Sequence, residues 1–174
     1  MATVILDAGH GGWDRGATYD FRVEKNDNLD LVLAVGEILS QNGVNVLYTR
    51  VTDIYEAPIQ KARDANNSGA DYMISLHRNS SPVPNQYAGV ESFVYSLGGR
   101  VTRMAENINA QLAQVGYNNL GVKERTNLIV LNSTNIPAIL VEVGFINSDE
   151  DNYLFEVFFE QTAQAIATGI LESL

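Results

Sequence analysis

Apolar and polar positions change period several times along this chain of 174 residues. Residues 4–6 (V-I-L) form a short unbroken apolar run, which predicts a buried strand. Leu29, Val32, Val35, Gly36, Ile38 and Leu39 then recur at helical spacing, and Gly43 closes that helix. A second strand is expected at 44–48 and a short helix at 58–67, ended by Ser68-Gly69. Residues 72–76 read as a third strand, and 89–95 alternate as a fourth. Met104, Ile108, Leu112 and Val115 share one helical face. The apolar runs 128–131 and 138–143 predict two more strands. Phe155, Phe158, Phe159, Ala163, Ile166 and Ile170 stripe a single C-terminal helix.

Strands that alternate with helices in this way predict one α/β domain over residues 1–174. The expected core is a twisted, mostly parallel sheet of about six strands, with helices on both faces. No repeat or linker interrupts it, and Pro82-Val83-Pro84-Asn85 reads as a loop.

Composition narrows the chemistry. With 45% apolar and 18% charged residues the chain is ordinary for a globular domain. Its net charge of -10 opposes nucleic acid and anionic lipid as partners. No window is apolar enough to insert in a membrane. Without cysteine, a metal would need nitrogen and oxygen ligands. The first predicted strand follows Met1 almost at once, with no secretion signal before it. If the protein acts outside the cell, either a leader was trimmed or it leaves by another route, such as lysis.

Two histidines are present, His10 after V-I-L-D-A-G and His77 after Y-M-I-S-L. Both stand just past the carboxyl end of an apolar strand, the edge where open α/β sheets bind ligands. They are either two structural histidines or two members of one site. Glu142 puts a carboxylate inside the apolar run A-I-L-V-E-V. Such a group is paired, protonated or functional unless the strand end has already reached water. Glu24 lies in the polar stretch R-V-E-K-N-D-N-L, where a solvated loop glutamate is the default. Two histidines and a glutamate can hold Zn²⁺ with water in the fourth position, and a second glutamate can serve that water as base. The competing phosphate-loop reading of H-G-G-W-D-R-G fails. It lacks the P-loop lysine and the G-x-G-x-x-G spacing, and Asp7 and Asp14 would repel phosphate. Its glycines are expected to let backbone pass close to a metal and a substrate.

The blocks D-A-G-H-G-G-W-D-R-G-A, E-K-N-D-N-L, R-D-A-N-N-S-G-A-D-Y-M-I-S-L-H-R-N-S, G-V-E-S-F-V-Y and P-A-I-L-V-E-V-G-F-I-N-S occur in order. Together they resemble the zinc-dependent N-acetylmuramoyl-L-alanine amidases of the amidase 3 type, nearly end to end. The resemblance implies a peptidoglycan hydrolase that cuts between N-acetylmuramic acid and the L-alanine of the stem peptide. It implies His10, Glu24 and His77 as zinc ligands and Glu142 as catalytic glutamate, general base and then acid. Asp7 and Asn79 are expected to orient a histidine or touch substrate. Two rival readings remain: a zinc peptidase on another wall amide, and a wall-binding module that has lost catalysis.

Arg78 stands where the family usually has a small residue, so either substrate or water is its expected neighbour. Ala57-Pro58-Ile59 also departs from the family's more regular segment, a difference expected in packing. Some relatives carry an inhibitory helix between the second histidine block and the G-V-E strand. Only residues 80–88 fill that gap here, which predicts an open site that needs no activator. A monomer acting at the cell wall, outside the cell, is expected.

Overall fold

A computed structural model describes every residue from Met1 to Leu174. The chain runs β1 (Thr3–Ala8), β2 (Thr18–Tyr19), β3 (Arg22–Val23), α1 (Glu24–Gln41), β4 (Asn45–Tyr48), α2 (Pro58–Asn67) and β5 (Tyr72–Asn79). It continues through β6 (Val90–Val94), α3 (Gly99–Val115), β7 (Asn119–Glu124), α4 (Ile129–Asn132), β8 (Ala138–Phe145), α5 (Asp149–Val157) and α6 (Phe159–Leu171). Six strands make one sheet in the order β4-β1-β5-β8-β6-β7. Every neighbouring pair is parallel except β6 and β8. The α/β architecture with a mostly parallel six-stranded sheet is therefore as the pattern predicts.

The two faces of the sheet are covered unequally. Val4, Leu6, Ile74, Leu76, Ile139 and Val141 point to the face packed by α1, α3 and α6, where 27 buried residues form the main core. Alternation sends Ile5, Met73 and Leu140 to the other face. There only α2 and the single turn of α4 cover them, in a core of eight residues. The smaller layer ends before the strands do. The carboxyl ends of β1, β5 and β8 therefore carry polar side chains on that face: Asp7, His77 and Glu142.

Three expectations need correction. The run 128–131 is not a strand, for Ile129–Asn132 form α4, and Val130 and Leu131 are buried against α2 and the sheet. A short apolar run has no period that separates strand from buried helix. The sixth strand is instead β7, an edge strand whose residues are mostly exposed or half-buried and whose only apolar positions, Leu120 and Val122, are too few to mark it. The C-terminal stripe is two helices, because the backbone leaves the helical region at Phe158 (φ -114, ψ 37). The glutamate placed in a polar loop, Glu24, is the first residue of α1. The first turns of α1 are polar, so no apolar stripe announces them.

One ion pair joins the layers. Asp7, wholly buried on β1, lies 2.8 Å from Lys61 Nζ of α2. Thr49 and Ser75 also donate to its two oxygens, at 2.7 and 2.6 Å. Burial alone would raise the Asp7 carboxyl, but the Lys61 charge and these hydrogen bonds outweigh it and hold the group below 3.8. Its contribution to stability is therefore complete above about pH 4 and is lost as pH falls further. Removing the cation leaves a buried charge alone. Lys61→Met is expected to cost about 3–5 kcal/mol at pH 7, read from urea unfolding. Without Lys61 burial raises the Asp7 carboxyl, so the gap to wild type should narrow on mild acidification. An equal gap at pH 7 and pH 5 would contradict this account.

Candidate metal centre

β1 ends in a turn that the rest of the fold holds by its carbonyls. Arg50 donates to Ala8 O at 3.0 Å and to Gly9 O at 3.1 Å, and Asn28 Nδ2 donates to Gly9 O at 3.1 Å. The next residue, His10, has φ 62, an uncommon conformation for a side chain of its shape. That turn aims its imidazole back across the sheet edge. His77 comes from the end of β5 and meets it edge to face, with ring centroids 5.0 Å apart.

Glu24 arrives between them from the N-terminus of α1, where the helix dipole favours its negative charge. Its Oε1 lies 3.1 Å from His10 Nε2 and 3.1 Å from His77 Nδ1. One ligand atom from each of the three residues lies within 4.8 Å of the other two. Ala17 N–H donates to the remaining oxygen at 2.9 Å, and the Arg78 N–H reaches Oε1 at 3.2 Å. The approach is close enough to exclude side chains. A Cβ on Gly9 would lie 2.3 Å from the His77 ring, and one on Gly16 2.5 Å from Glu24 Oε2.

The electrostatics of this trio favour a cation. Burial opposes a charge on His10, but hydrogen bonds and charge from Glu24 and Asp14 outweigh it and raise the imidazole to about 9. Burial likewise opposes a charge on Glu24, and the two histidines outweigh that, driving its carboxyl far below its ordinary range. Two nitrogens and one carboxylate oxygen, converging with an open side, suit a tetrahedral ion such as Zn²⁺.

Beside the trio stands Glu142 on β8, the register partner of His77 on β5. Its Oε2 is buried and has no hydrogen-bond partner. Burial pushes this carboxyl up to about 7; His77 pulls it down, while Glu24 and Glu91 add to the rise. On its other side Glu142 faces Glu91 of β6 in antiparallel register.

The other expected residues sit as follows. Asn79 does not touch a histidine; its Nδ2 donates to Glu91 Oε1 at 2.8 Å, and Lys123 holds the other Glu91 oxygen. Asp7 also has no histidine partner, being engaged by Lys61, Thr49 and Ser75. Arg78 faces neither substrate nor water. It is the residue between His77 and Asn79, so strand alternation turns it to the opposite face. There it donates to Asp27 at 2.7 Å and Asn152 at 2.8 Å, with its guanidinium 4.2 Å from the centroid of the Phe155 ring.

The residue that does orient a histidine is Asp14. Its Oδ2 lies 2.9 Å from His10 Nδ1. A carboxylate only accepts, so Nδ1 carries a proton, and Nε2, facing Glu24, is the nitrogen left for a metal once its own proton is lost. Its signal was the i,i+4 spacing from His10, which carries weight only once the turn is known. Glu91 could have been found as Glu142 was, as an acid inside the apolar run G-V-E-S-F-V.

A cavity of about 300 Å³ opens from the two histidines. Asp14, Glu56, Pro58, Ile129 and Leu140 are among its walls. An α/β sheet whose rim opens a cavity at two imidazoles, with a helix-borne carboxylate between them and an unpaired buried glutamate beside them, has the parts of a metal-assisted hydrolase.

Known proteins narrow that class. Residues 4–172 match the family described as N-acetylmuramoyl-L-alanine amidase. The sporulation-specific N-acetylmuramoyl-L-alanine amidase of Bacillus subtilis (strain 168) is 34% identical over 98% of this chain and 67% of its own length. The endolysin of Bacillus phage SPP1 is 34% identical over 98% of this chain and 65% of its own. Among solved structures, the N-acetylmuramoyl-L-alanine amidase from Clostridium difficile 630 superposes with a TM-score of 0.91 at 30% identity, covering 98% of this chain and 95% of that one. The chain belongs to the N-acetylmuramoyl-L-alanine amidase family.

If Asp14 sets the His10 tautomer, Asp14→Asn should weaken metal binding by about 10–100-fold. Competition against a chromophoric chelator measures this, and unchanged affinity would refute the role given to Asp14.

Proposed function

We propose that this domain hydrolyses the amide between N-acetylmuramic acid and L-alanine in peptidoglycan, with Zn²⁺ held by His10, Glu24 and His77. The observation that carries the reading is the juxtaposition of that trio with Glu142, whose buried oxygen has no partner in the protein. Membership in the amidase family supports the choice of bond. When bound, the zinc supplies Lewis acidity toward a water and toward the substrate carbonyl.

The chain's own residues do the rest. Glu142 takes a proton from the attacking water and later gives it to the leaving alanine amine. A carboxyl pushed up to about 7 can do both near neutral pH, whereas one at the ordinary 4.5 would be a poor acid there. Asp14 keeps the Nε2 of His10 free for the metal. Asn79 and Lys123 engage both oxygens of Glu91, so that the carboxylate facing Glu142 is not a second free acceptor.

Glu142→Gln should keep metal at about one ion per chain and lower turnover by about 10²–10⁴-fold. Glu24→Ala should lose metal and activity together. Metal analysis beside a peptidoglycan digest separates the two. The digest should show new amino-terminal L-alanine with no new reducing sugar. Release of free D-alanine would point to a peptidase, and normal turnover by Glu142→Gln would remove the proposed base.

No helix lies between β5 and β6 to cover the rim. Purified protein is therefore expected to digest sacculi without an accessory protein, and strict dependence on one would overturn that expectation.

A further inference from the structure

Trp13 is the only tryptophan in the chain, and it is held out in solvent with 76% of its surface exposed. A large apolar side chain in that position calls for an explanation when the backbone beneath it is rigid. Here it is. Gly11 and Asp14 exchange backbone hydrogen bonds at 2.9 and 3.1 Å, which folds residues 11–14 into a tight loop with Trp13 near its tip. Gly12 N–H donates to Asp53 at 2.8 Å, and Lys25 bonds both Asp53 and the Gly12 carbonyl. The loop lies backbone to backbone on the segment around Ile54, so closely that a Cβ on Gly11 would sit 2.1 Å from Ile54 O.

On this base the indole packs against Tyr55, with centroids 4.3 Å apart and planes tilted by 38°. The pair forms one exposed aromatic surface. Its position is fixed relative to the metal centre, because the residues on either side of it belong to the site. Asp14, next to Trp13, bonds His10 and lines the cavity. Glu56, next to Tyr55, lines the same cavity with a buried carboxylate oxygen that has no partner.

We infer that the Trp13–Tyr55 surface is a saccharide subsite, on which a neutral pyranose of the glycan strand stacks its C–H face. This inference rests on the proposed amidase reading for its ligand. Two aromatic rings beside an unsatisfied acceptor are the chemistry that takes a sugar ring: apolar contact on the face, a hydrogen bond to a hydroxyl or amide N–H at the edge. Asp53 is already held by Lys25, while Asp14 and Glu56 at the cavity wall offer acceptor oxygens, which suit the hydroxyl and amide N–H groups of a neutral N-acetylhexosamine. The subsite would align the glycan so that the peptide branch enters the cavity.

The single tryptophan gives a readout independent of metal and of catalysis. Titration with chitotetraose, a neutral chain of N-acetylglucosamine, should quench or shift the Trp13 fluorescence in a saturable way. On soluble glycan-peptide strands, Trp13→Ala and Tyr55→Ala should raise KM about tenfold with kcat within twofold, and Trp13→Phe should restore most of the loss. A melting temperature close to wild type shows that the variants fold. No saturable fluorescence change together with an unchanged KM in Trp13→Ala would overturn the subsite. So would a fluorescence shift produced by concentrating the protein alone, which would make the surface a contact between copies. Wild-type protein that binds chitotetraose but releases no amino-terminal L-alanine would instead defeat the amidase reading and leave the subsite standing.

Discussion

One buried negative charge organises the rim of this protein. Glu24 carries it at the start of α1, and two imidazoles approach the same oxygen at 3.1 Å. A carboxylate in that degree of burial is stable only if positive charge or donors surround it. The arrangement therefore demands a cation, as protons on the histidines or as a metal between them. The glycines, the turn at His10 and the carbonyl contacts of Arg50 and Asn28 all serve that approach. Gly9 and Gly16 bring backbone nearer to His77 and Glu24 than a side chain would permit, and Arg50 and Asn28 hold the Gly9 carbonyl in place.

The unequal layers explain why the rim is accessible. A long sheet face packed by α1, α3 and α6 supplies most of the core. The opposite face is covered by α2 and one turn of α4, and beyond them the sheet carries acids and histidines. The Asp7–Lys61 pair marks the boundary, since it ties α2 to β1 just before the polar zone begins. Stability and access are thereby assigned to different halves of one surface.

Much of this was legible in the sequence, for stated reasons. Five of the six sheet strands lie where one was predicted: β1, β5 and β8 as apolar runs, because a strand buried on both faces shows as such a run, β6 from its alternation, and β4 at 44–48. β7 was hidden because it is an edge strand with polar residues on both sides. The α4 segment was misread because four apolar residues carry no period. His10 and His77 stood out from their strand-end positions, and Glu142 as a carboxylate inside an apolar run. Glu24 did not, since a glutamate in a polar stretch has no local mark, and only the resemblance to a known family singled it out. Asp14, Glu91 and Arg78 depend on which way a side chain turns at a strand end or tight loop. Pairing of that kind is a property of the folded sheet and not of the residues taken one at a time.

The position of β8 has a consequence for how the protein comes into being. It lies between β5 and β6 at the centre of the sheet, yet it is the last strand in the chain. Until residues 138–145 dock, β5 and β6 each have an open edge, and the sheet exists as two halves. His77 and Glu142, which sit side by side in the finished register, belong to those separate halves. A ribosome-bound or truncated chain thus keeps the two groups apart and exposes unpaired strand edges. The last strand acts as the keystone: long-range closure is slow, and the candidate centre is assembled only in the step that completes the sheet.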